Sequence, residues 1–353
     1  MLTVLDSLPS GLLETDAAQL HRILAGPTLI HLPGRRAEPL FAAVLLHGNE
    51  PVGLDAVRVL LRGHAGRELP RALSVFIGNV AAARHGLRVL DGQPDYNRIW
   101  PPGVVGDTPE HRMMRQVVDE MRARRVFASV DIHNNTGINP HYACINRLGQ
   151  RFLHLAALFS RTVVHFIRPL GVQAMAFAEF CPAVTLECGQ PGQALGMEHA
   201  AEYLDACLHL AEIPTHPVPP HDIDLFHTVA IVRVPDTVSF SFTDPVADLR
   251  FVADLELLNF RELPAGTVLG WVRPDRGVCL EARDERGRDV SARYFRLEDG
   301  ALSTAVPVMP SMLSRDERVV RQDCLCYFME RLPAQVVQRA GATVPANDSQ
   351  ETD

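Results

Sequence analysis

The chain has no run of 18 apolar residues, which excludes a transmembrane helix of the ordinary kind. Its first residues, Met1 to Ser7, show no basic region followed by a long apolar one, so no secretory signal is expected. Its seven cysteines, at 144, 181, 188, 207, 279, 324 and 326, have the spacing of neither a zinc ribbon nor a disulfide framework. Cys324 and Cys326 alternate as a strand does, and core packing is the reading for both. A reduced, cytoplasmic protein is the expectation. No Gly-x-Ser-x-Gly elbow occurs, which argues against a serine hydrolase of that type. Glycine-rich pieces such as Gly189-Gln-Pro-Gly192 lack the pattern of a phosphate loop. There is no internal repeat, no low-complexity block and no basic excess. The net charge of −8 argues against a general nucleic-acid binder but leaves room for a local arginine pocket.

What is present fits a soluble globular protein. The 353 residues are 47% hydrophobic and 22% charged, enough for one large core and a smaller one without staples. Apolar runs predict strands over 28–32, 40–46, 73–80, 126–132, 141–145, 162–166 and 183–187. Amphipathic segments predict helices over 51–61, 109–124, 149–160 and 194–211. Strands alternating with helices imply an α/β fold, a mostly parallel sheet covered on both faces. Residues 1–212 are expected to form this unit. The segment 212–221 carries four prolines and reads as a semi-rigid linker. Beyond it, β-like runs over 225–234, 268–272, 278–282, 293–297 and 319–328 suggest a smaller, mainly β domain spanning 222–335. The polar end, 342–353, is expected to be a disordered tail.

Four segments carry chemistry. His47-Gly-Asn-Glu50 follows an apolar run and precedes Pro51, which places it where a strand ends and a helix starts. An imidazole and a carboxylate three residues apart can reach one metal ion, and two His with one Glu form a catalytic zinc set. His133, in Asp131-Ile-His-Asn-Asn-Thr136, offers the second imidazole at another strand end. Glu187 ends the run Ala183-Val-Thr-Leu-Glu in an apolar context that would favour a raised pKa. The fourth segment runs from Arg88 to Arg98 and holds Asp95-Tyr-Asn97-Arg98. Taken singly, each has an ordinary reading: a helix-start Glu, a satisfied core His, a strand-end acid, solvated loop charges. Asp131 reads equally as an orienting partner of a ligand or as a structural acceptor. Three of the segments lie at the carboxyl ends of predicted strands, the ligand edge of an open α/β sheet.

In combination they resemble the zinc carboxypeptidase superfamily, and within it the succinylglutamate desuccinylase/aspartoacylase branch. His47-Gly-Asn-Glu50, Asp131-Ile-His-Asn-Asn-Thr136 and Glu187-x-Gly189 are similar to that branch's signatures. The resemblance covers most of 27–211 and is thin after 220. It implies a zinc-carboxypeptidase-like mixed sheet flanked by helices, followed by a β-rich domain. It implies that His47, Glu50 and His133 hold one Zn2+ per chain, and that Glu187 is the general base and acid. It also implies that Asn97 and Arg98 bind a substrate carboxylate and that Arg88 polarises the scissile carbonyl. The Arg88–Arg98 spacing departs from the family's, so Arg84 competes for that last role. The implied partner is a small anionic N-acyl amino acid, with no nucleic acid or membrane; a homo-oligomer is compatible with the sequence. N-succinylglutamate, split to succinate and glutamate, is the first substrate expected, and N-acetylaspartate-type compounds come next. A metallocarboxypeptidase acting on a peptide, or a silent binding protein with this fold, are the alternatives. Aspartoacylase members use a substrate-contacting Tyr from the second domain; Tyr294 and Tyr327 are candidates for it here.

Overall fold

The computed structural model describes residues 1–103 and 106–340; the expected tail at 342–353 lies outside the described residues. Nine strands build the first part: β1 (Thr3–Leu5), β2 (Thr28–Leu32), β3 (Gly34–Val44), β4 (Leu69–Ile77), β5 (Ala128–His133), β6 (Tyr142–Ile145), β7 (Thr162–His165), β8 (Ala183–Glu187) and β9 (Asp224–Arg233). Helices α1 (Val52–Gly63), α2 (Val80–Ala83), α3 (Pro109–Ala123), α4 (Gln150–Ala157), α5 (Gln173–Phe177) and α6 (Ala194–His209) lie between them. Then follow β10 (Phe240–Ser241), β11 (Leu249–Phe251), β12 (Val268–Val272), β13 (Glu281–Asp284), α7 (Ser291–Tyr294), β14 (Phe295–Glu298), β15 (Ala301–Thr304), β16 (Met309–Ser311), α8 (Glu317–Gln322), β17 (Cys326–Arg331) and α9 (Ala334–Arg339).

One 12-stranded sheet runs through most of the molecule in the order β1-β2-β4-β3-β5-β8-β6-β7-β9-β17-β16, with β13 also paired to β9. Its centre is parallel: β4 with β3, β3 with β5 and β5 with β8. Residues 40–44 of β3 are wholly buried because both faces are covered. Leu40, Ala42 and Val44 join a core with α1 and α6, while Phe41 and Ala43 join Trp100, Phe177 and the apolar face of α3. The continuous apolar run in the sequence is thus two alternating half-faces, each with its own helical cover.

The proline-bearing segment 212–221 has no helix or strand, but it is docked. Ile213 and Val218 are buried in the first core, and the Val218 amide donates to Gln150 Oε1 at 2.9 Å. It leads into β9, which pairs in parallel with β7 on one side and antiparallel with β17 on the other. A second sheet, β10-β11-β12-β15-β14, packs over a separate apolar core that reaches Phe328 of β17.

Two local readings change, and one is the run 293–297, expected as a strand, which begins in α7 and enters β14 only at Phe295. The run 319–328, expected as one strand, is divided into α8 and β17. Asp316 caps α8 by accepting from the amides of Arg318 and Val319, which satisfies free donors of the first turn and favours helix over strand. Tyr96 to Trp100 is a buried irregular strap fastened by Trp100 Nε1–H to the Tyr96 carbonyl at 2.7 Å.

Helix α1 lies close to the sheet because Gly53 has no side chain. A Cβ there would stand 2.9 Å from both Ile132 Cβ and Val44 Cγ1. Glycine to alanine within a helix ordinarily stabilises by about 1 kcal/mol. At this contact neither β-branched neighbour can swing aside, and the overpacking cost of about 1–3 kcal/mol should win. Gly53→Ala is therefore expected to lower the denaturant midpoint; a raised midpoint in urea unfolding would show that α1 is free to shift.

Candidate active site

Parallel pairing of β3, β5 and β8 brings their carboxyl ends to one edge of the sheet. His133 and Glu187 are register partners across β5 and β8, and Tyr142 of the antiparallel β6 sits opposite Glu187 on the other side. His47 arrives in the loop after β3. Leu45 there adopts φ 53°, a conformation costly for a branched residue, which turns the chain sharply off the strand. Gly48 is required by close approach, since a Cβ would lie 2.2 Å from the Ala83 amide nitrogen. The Gly48 amide also donates to the Arg88 carbonyl at 3.1 Å, so the same loop holds Arg88 beside His47. Asn134 ties α1, β5 and the turn after β8 together: its Oδ1 accepts from the Val52 amide and its Nδ2 donates to the Gly189 carbonyl.

Glu50 is the centre of the cluster. Its Oε1 lies 2.9 Å from His47 Nδ1, and its Oε2 lies 2.7 Å from His133 Nδ1. Ligand atoms of the three residues all fall within 4.8 Å of one another, and all three residues are buried. Each imidazole is held from behind by another carboxylate. His47 Nε2 is 3.0 Å from Asp95 Oδ1, and His133 Nε2 is 2.9 Å from Asp131 Oδ2. A carboxylate on the far ring nitrogen fixes the tautomer that turns the other nitrogen's lone pair inward, as metal-binding histidines require. Two nitrogens and one carboxylate, converging and oriented from behind, fit a zinc ion. Asp131, left open between two readings by the sequence, orients the His133 ring.

Charges in this buried space set one another. Burial pushes the Glu50 carboxyl up, but His47 and His133 outweigh burial and hold it well below the usual range. Glu187 lacks such a partner. Burial pushes it up to about 7, with Glu50 and Asp131 adding to the rise and His133 and the Asn135 hydrogen bond opposing it. That hydrogen bond, Asn135 Nδ2–H to Glu187 Oε2, is 3.2 Å long.

The remaining expected residues are placed as follows. Arg88 is buried and faces the cluster, with Nη1 3.7 Å from Glu50 Oε1, while Arg84 is exposed. Arg98 lines the same pocket. Asn97 also lines it, but its amide is engaged behind the cluster. Its Nδ2 lies 3.2 Å from Asp131 Oδ2 and 3.1 Å from His133 Nε2, and its Oδ1 accepts from the Gln173 amide. The carboxamide expected to meet substrate is thus seen holding the Asp131–His133 pair. Tyr327 lines the pocket, whereas Tyr294 is packed in the second apolar core. His141 stacks with His199 and Phe159, outside the pocket lining.

Two carboxylates went unassigned in the sequence. Asp95 bridges His47 and Arg88, with Arg88 Nη2 3.0 Å from its Oδ2. Its position two residues before Asn97 was the available signal. Asp323, just past α8, reaches Arg98 at 2.7 Å and Arg88 at 3.4 Å. No local pattern announces a partner more than two hundred residues away. The pocket takes lining from both parts of the chain, with Thr228, Ser311, Met312, Asp323 and Tyr327 coming from beyond the proline-bearing segment.

No family model and no curated protein matches the chain by sequence. Solved structures do match it. A succinylglutamate desuccinylase from Chromobacterium violaceum aligns with TM-score 0.55 at 19% identity, over 85% of this chain and 86% of that one. A succinylglutamate desuccinylase/aspartoacylase from Rhodobacter sphaeroides gives 0.57 at 14%, over 86% and 88%. Murine aminoacylase 3 gives 0.55 at 14%, over 84% and 96%. The fold is therefore that of these proteins, across nearly their full length. Among the described residues, no helix is long and apolar enough to cross a membrane.

Glu187 supplies a test of the electrostatics alone. With its pKa raised from 4.5 to about 7, the folded state favours the protonated form. Its contribution is most favourable below about pH 4.5 and is lost as pH rises through 7. Above that, the ionised carboxylate costs the metal-free fold on the order of 3 kcal/mol. Glu187→Gln removes this cost and keeps an acceptor for Asn135. Urea unfolding of the metal-free protein should show the variant more stable than wild type at pH 8, with the difference shrinking toward pH 5. Equal stability at both pH values would mean that Glu187 is well solvated.

Proposed function

We propose that this protein is a zinc-dependent amidohydrolase that cleaves the amide bond of a small N-acyl amino acid. The observation that supports it most is the convergence of His47, Glu50 and His133 at one sheet edge, next to an uncommitted Glu187 of raised pKa. The desuccinylase and aminoacylase structures of like fold agree with this reading. His47 Nδ1, a Glu50 oxygen and His133 Nδ1 would hold the zinc, with Asp95 and Asp131 keeping the two rings aimed. Zinc in such a three-ligand site supplies Lewis-acid charge and lets water act as a nucleophile near neutral pH.

The chain's own groups carry the rest. Glu187 has the proton affinity to take a proton from the attacking water and return it to the leaving nitrogen, so that water adds across the C–N bond to give an acid and an amine. Arg88 faces the cluster with a guanidinium that stays charged, suited to the negative charge that builds on the carbonyl oxygen. Arg98 presents a planar fork for a substrate carboxylate. Asn97 serves here through Asp131 and His133. Lining residues from the later part of the chain favour a small substrate over a long peptide. N-succinylglutamate, first by resemblance, and N-acetylaspartate are both polyanions. Their fit depends on how much of the Arg88 and Arg98 charge is free.

Zinc content settles the first part. The purified protein should bind about one equivalent of zinc by the three-ligand argument, lose hydrolysis on chelation and regain it on zinc return. His133→Ala should lose most of its metal affinity, measured by competition with a chromophoric chelator. A wild-type protein that neither carries nor takes up zinc would refute the proposal. Glu187→Gln should keep the metal and lose kcat by on the order of 10² or more, read as free amine released from N-acyl amino acids. Near-normal turnover in that variant would assign proton transfer elsewhere.

A further inference from the structure

Arg98, expected to receive a substrate carboxylate, and Arg88, expected to face the scissile carbonyl, already carry internal carboxylates. Arg98 Nη2 donates to Asp323 Oδ1 at 2.7 Å, and its Nη1 donates to the Asn97 carbonyl at 2.8 Å. Arg88 donates to Asp95 through both Nε and Nη2, and Nη2 also reaches Asp323 Oδ2 at 3.4 Å. Burial pushes the Asp323 carboxyl up, but Arg98 and Arg88 outweigh it and keep it ionised. The two guanidiniums therefore face three carboxylates, Asp95, Asp323 and Glu50, before any substrate arrives.

Apart from the zinc that His47, Glu50 and His133 would hold, whose charge is met by Glu50 and its water, no further permanent cation lines the pocket. The chain contains no lysine, and among the described residues Arg88 and Arg98 are the only arginines in the pocket lining. A guanidinium has five N–H donors, so Arg98 retains enough to take one carboxylate while still bound to Asp323. A second carboxylate would have to sit among what remains of the lining. That is largely apolar: Tyr142, Cys144, Val164, Phe166, Val172 and Met312. Thr185, whose buried hydroxyl has no hydrogen-bond partner among the described residues, adds a polar contact, as do Asn134, Thr228, Ser311 and Tyr327, but none of them brings charge. A second carboxylate against that wall would be desolvated with no counter-charge of its own. It would also share the pocket with the like charge of Asp323, a repulsion of the kind that rejects wrong partners.

We propose that Asp323 is a specificity-determining residue which restricts the site to monoanionic N-acyl amino acids, with one carboxylate on Arg98 and an uncharged, mainly apolar arm against the Tyr142–Val164–Met312 wall. This rests on the amidohydrolase reading for its chemistry, but its charge argument concerns binding alone. It turns the substrate away from N-succinylglutamate, which carries three carboxylates.

The test ranks substrates by kcat/KM on the zinc-loaded protein. N-acetylleucine and N-acetylphenylalanine should exceed N-acetylaspartate and N-succinylglutamate by about tenfold or more. Asp323→Asn should move the ratio toward the polyanions by a similar factor, with Asp323→Ser as a second variant should the first fold poorly. Wild-type preference for either polyanion would overturn the proposal, since Asp323 would then yield Arg98 to substrate. So would a ratio unchanged in a folded, active variant. Calorimetric titration of the same compounds separates the two levels of the reading. If nothing is hydrolysed but N-acetylleucine binds more tightly than N-acetylaspartate, the charge restriction stands and the hydrolase reading falls. If both bind equally or neither binds, the restriction itself fails.

Discussion

Buried charge is the constraint on which this molecule's site depends. Glu50, Asp95, Asp131, Glu187 and Asp323 all approach one sheet edge with Arg88, Arg98 and two imidazoles; six of the nine are buried and Asp95, Arg98 and Asp323 are partly so. Ionised groups persist in such a place only when each is paired and hydrogen-bonded. The architecture meets that demand by making carboxylates serve two partners. Glu50 joins both rings, Asp95 joins His47 to Arg88, and Asp323 joins Arg88 to Arg98. The exception is Glu187, whose only side-chain hydrogen bond among the described residues is from Asn135. A group left short of partners in a densely paired cluster is the one whose proton is available for chemistry.

Local pattern made the central strands legible. Strands over 28–32 and 183–187 were read to the residue, and α1, α3 and α6 to within two residues at either end. These elements are covered on both faces or strongly one-sided, so their periodicity is clean. What escaped was short or irregular. Helices α2 and α5 have four and five residues, too few for a helical period to register. The strand reading at 319–328 failed because a capping aspartate at 316 outweighed the β-branched pair Val319-Val320.

The site divided along the same line. Residues at strand ends, His47, His133 and Glu187, were readable because topology places such positions together in any parallel sheet. Arg88 lines the pocket and Arg84 does not, and the contact that helps hold Arg88 there, from the Gly48 amide to the Arg88 carbonyl, is encoded by no spacing rule. Asp323 depended on tertiary structure altogether: it enters the pocket because α8 ends beside β17, and β17 is fixed to β9. The solved structures of like fold share 14–19% identity with this chain, so the fold tolerates replacement of most of its side chains.

Strand β9 has a mechanical consequence. It belongs to the large sheet through β7 and carries β17 and β13 on its other side, so the part of the chain that supplies Asp323 and Tyr327 is welded to the part that supplies His47 and His133. A hinge between them would have to break the main-chain hydrogen bonds that pair β9 with β7 and β17. The pocket's width is consequently a fixed dimension, and admission of a ligand falls to side chains and the short connections at the rim. In such a rigid vessel selectivity is set by wall chemistry at the moment of entry, not by a closing motion that could adapt the walls to what has entered.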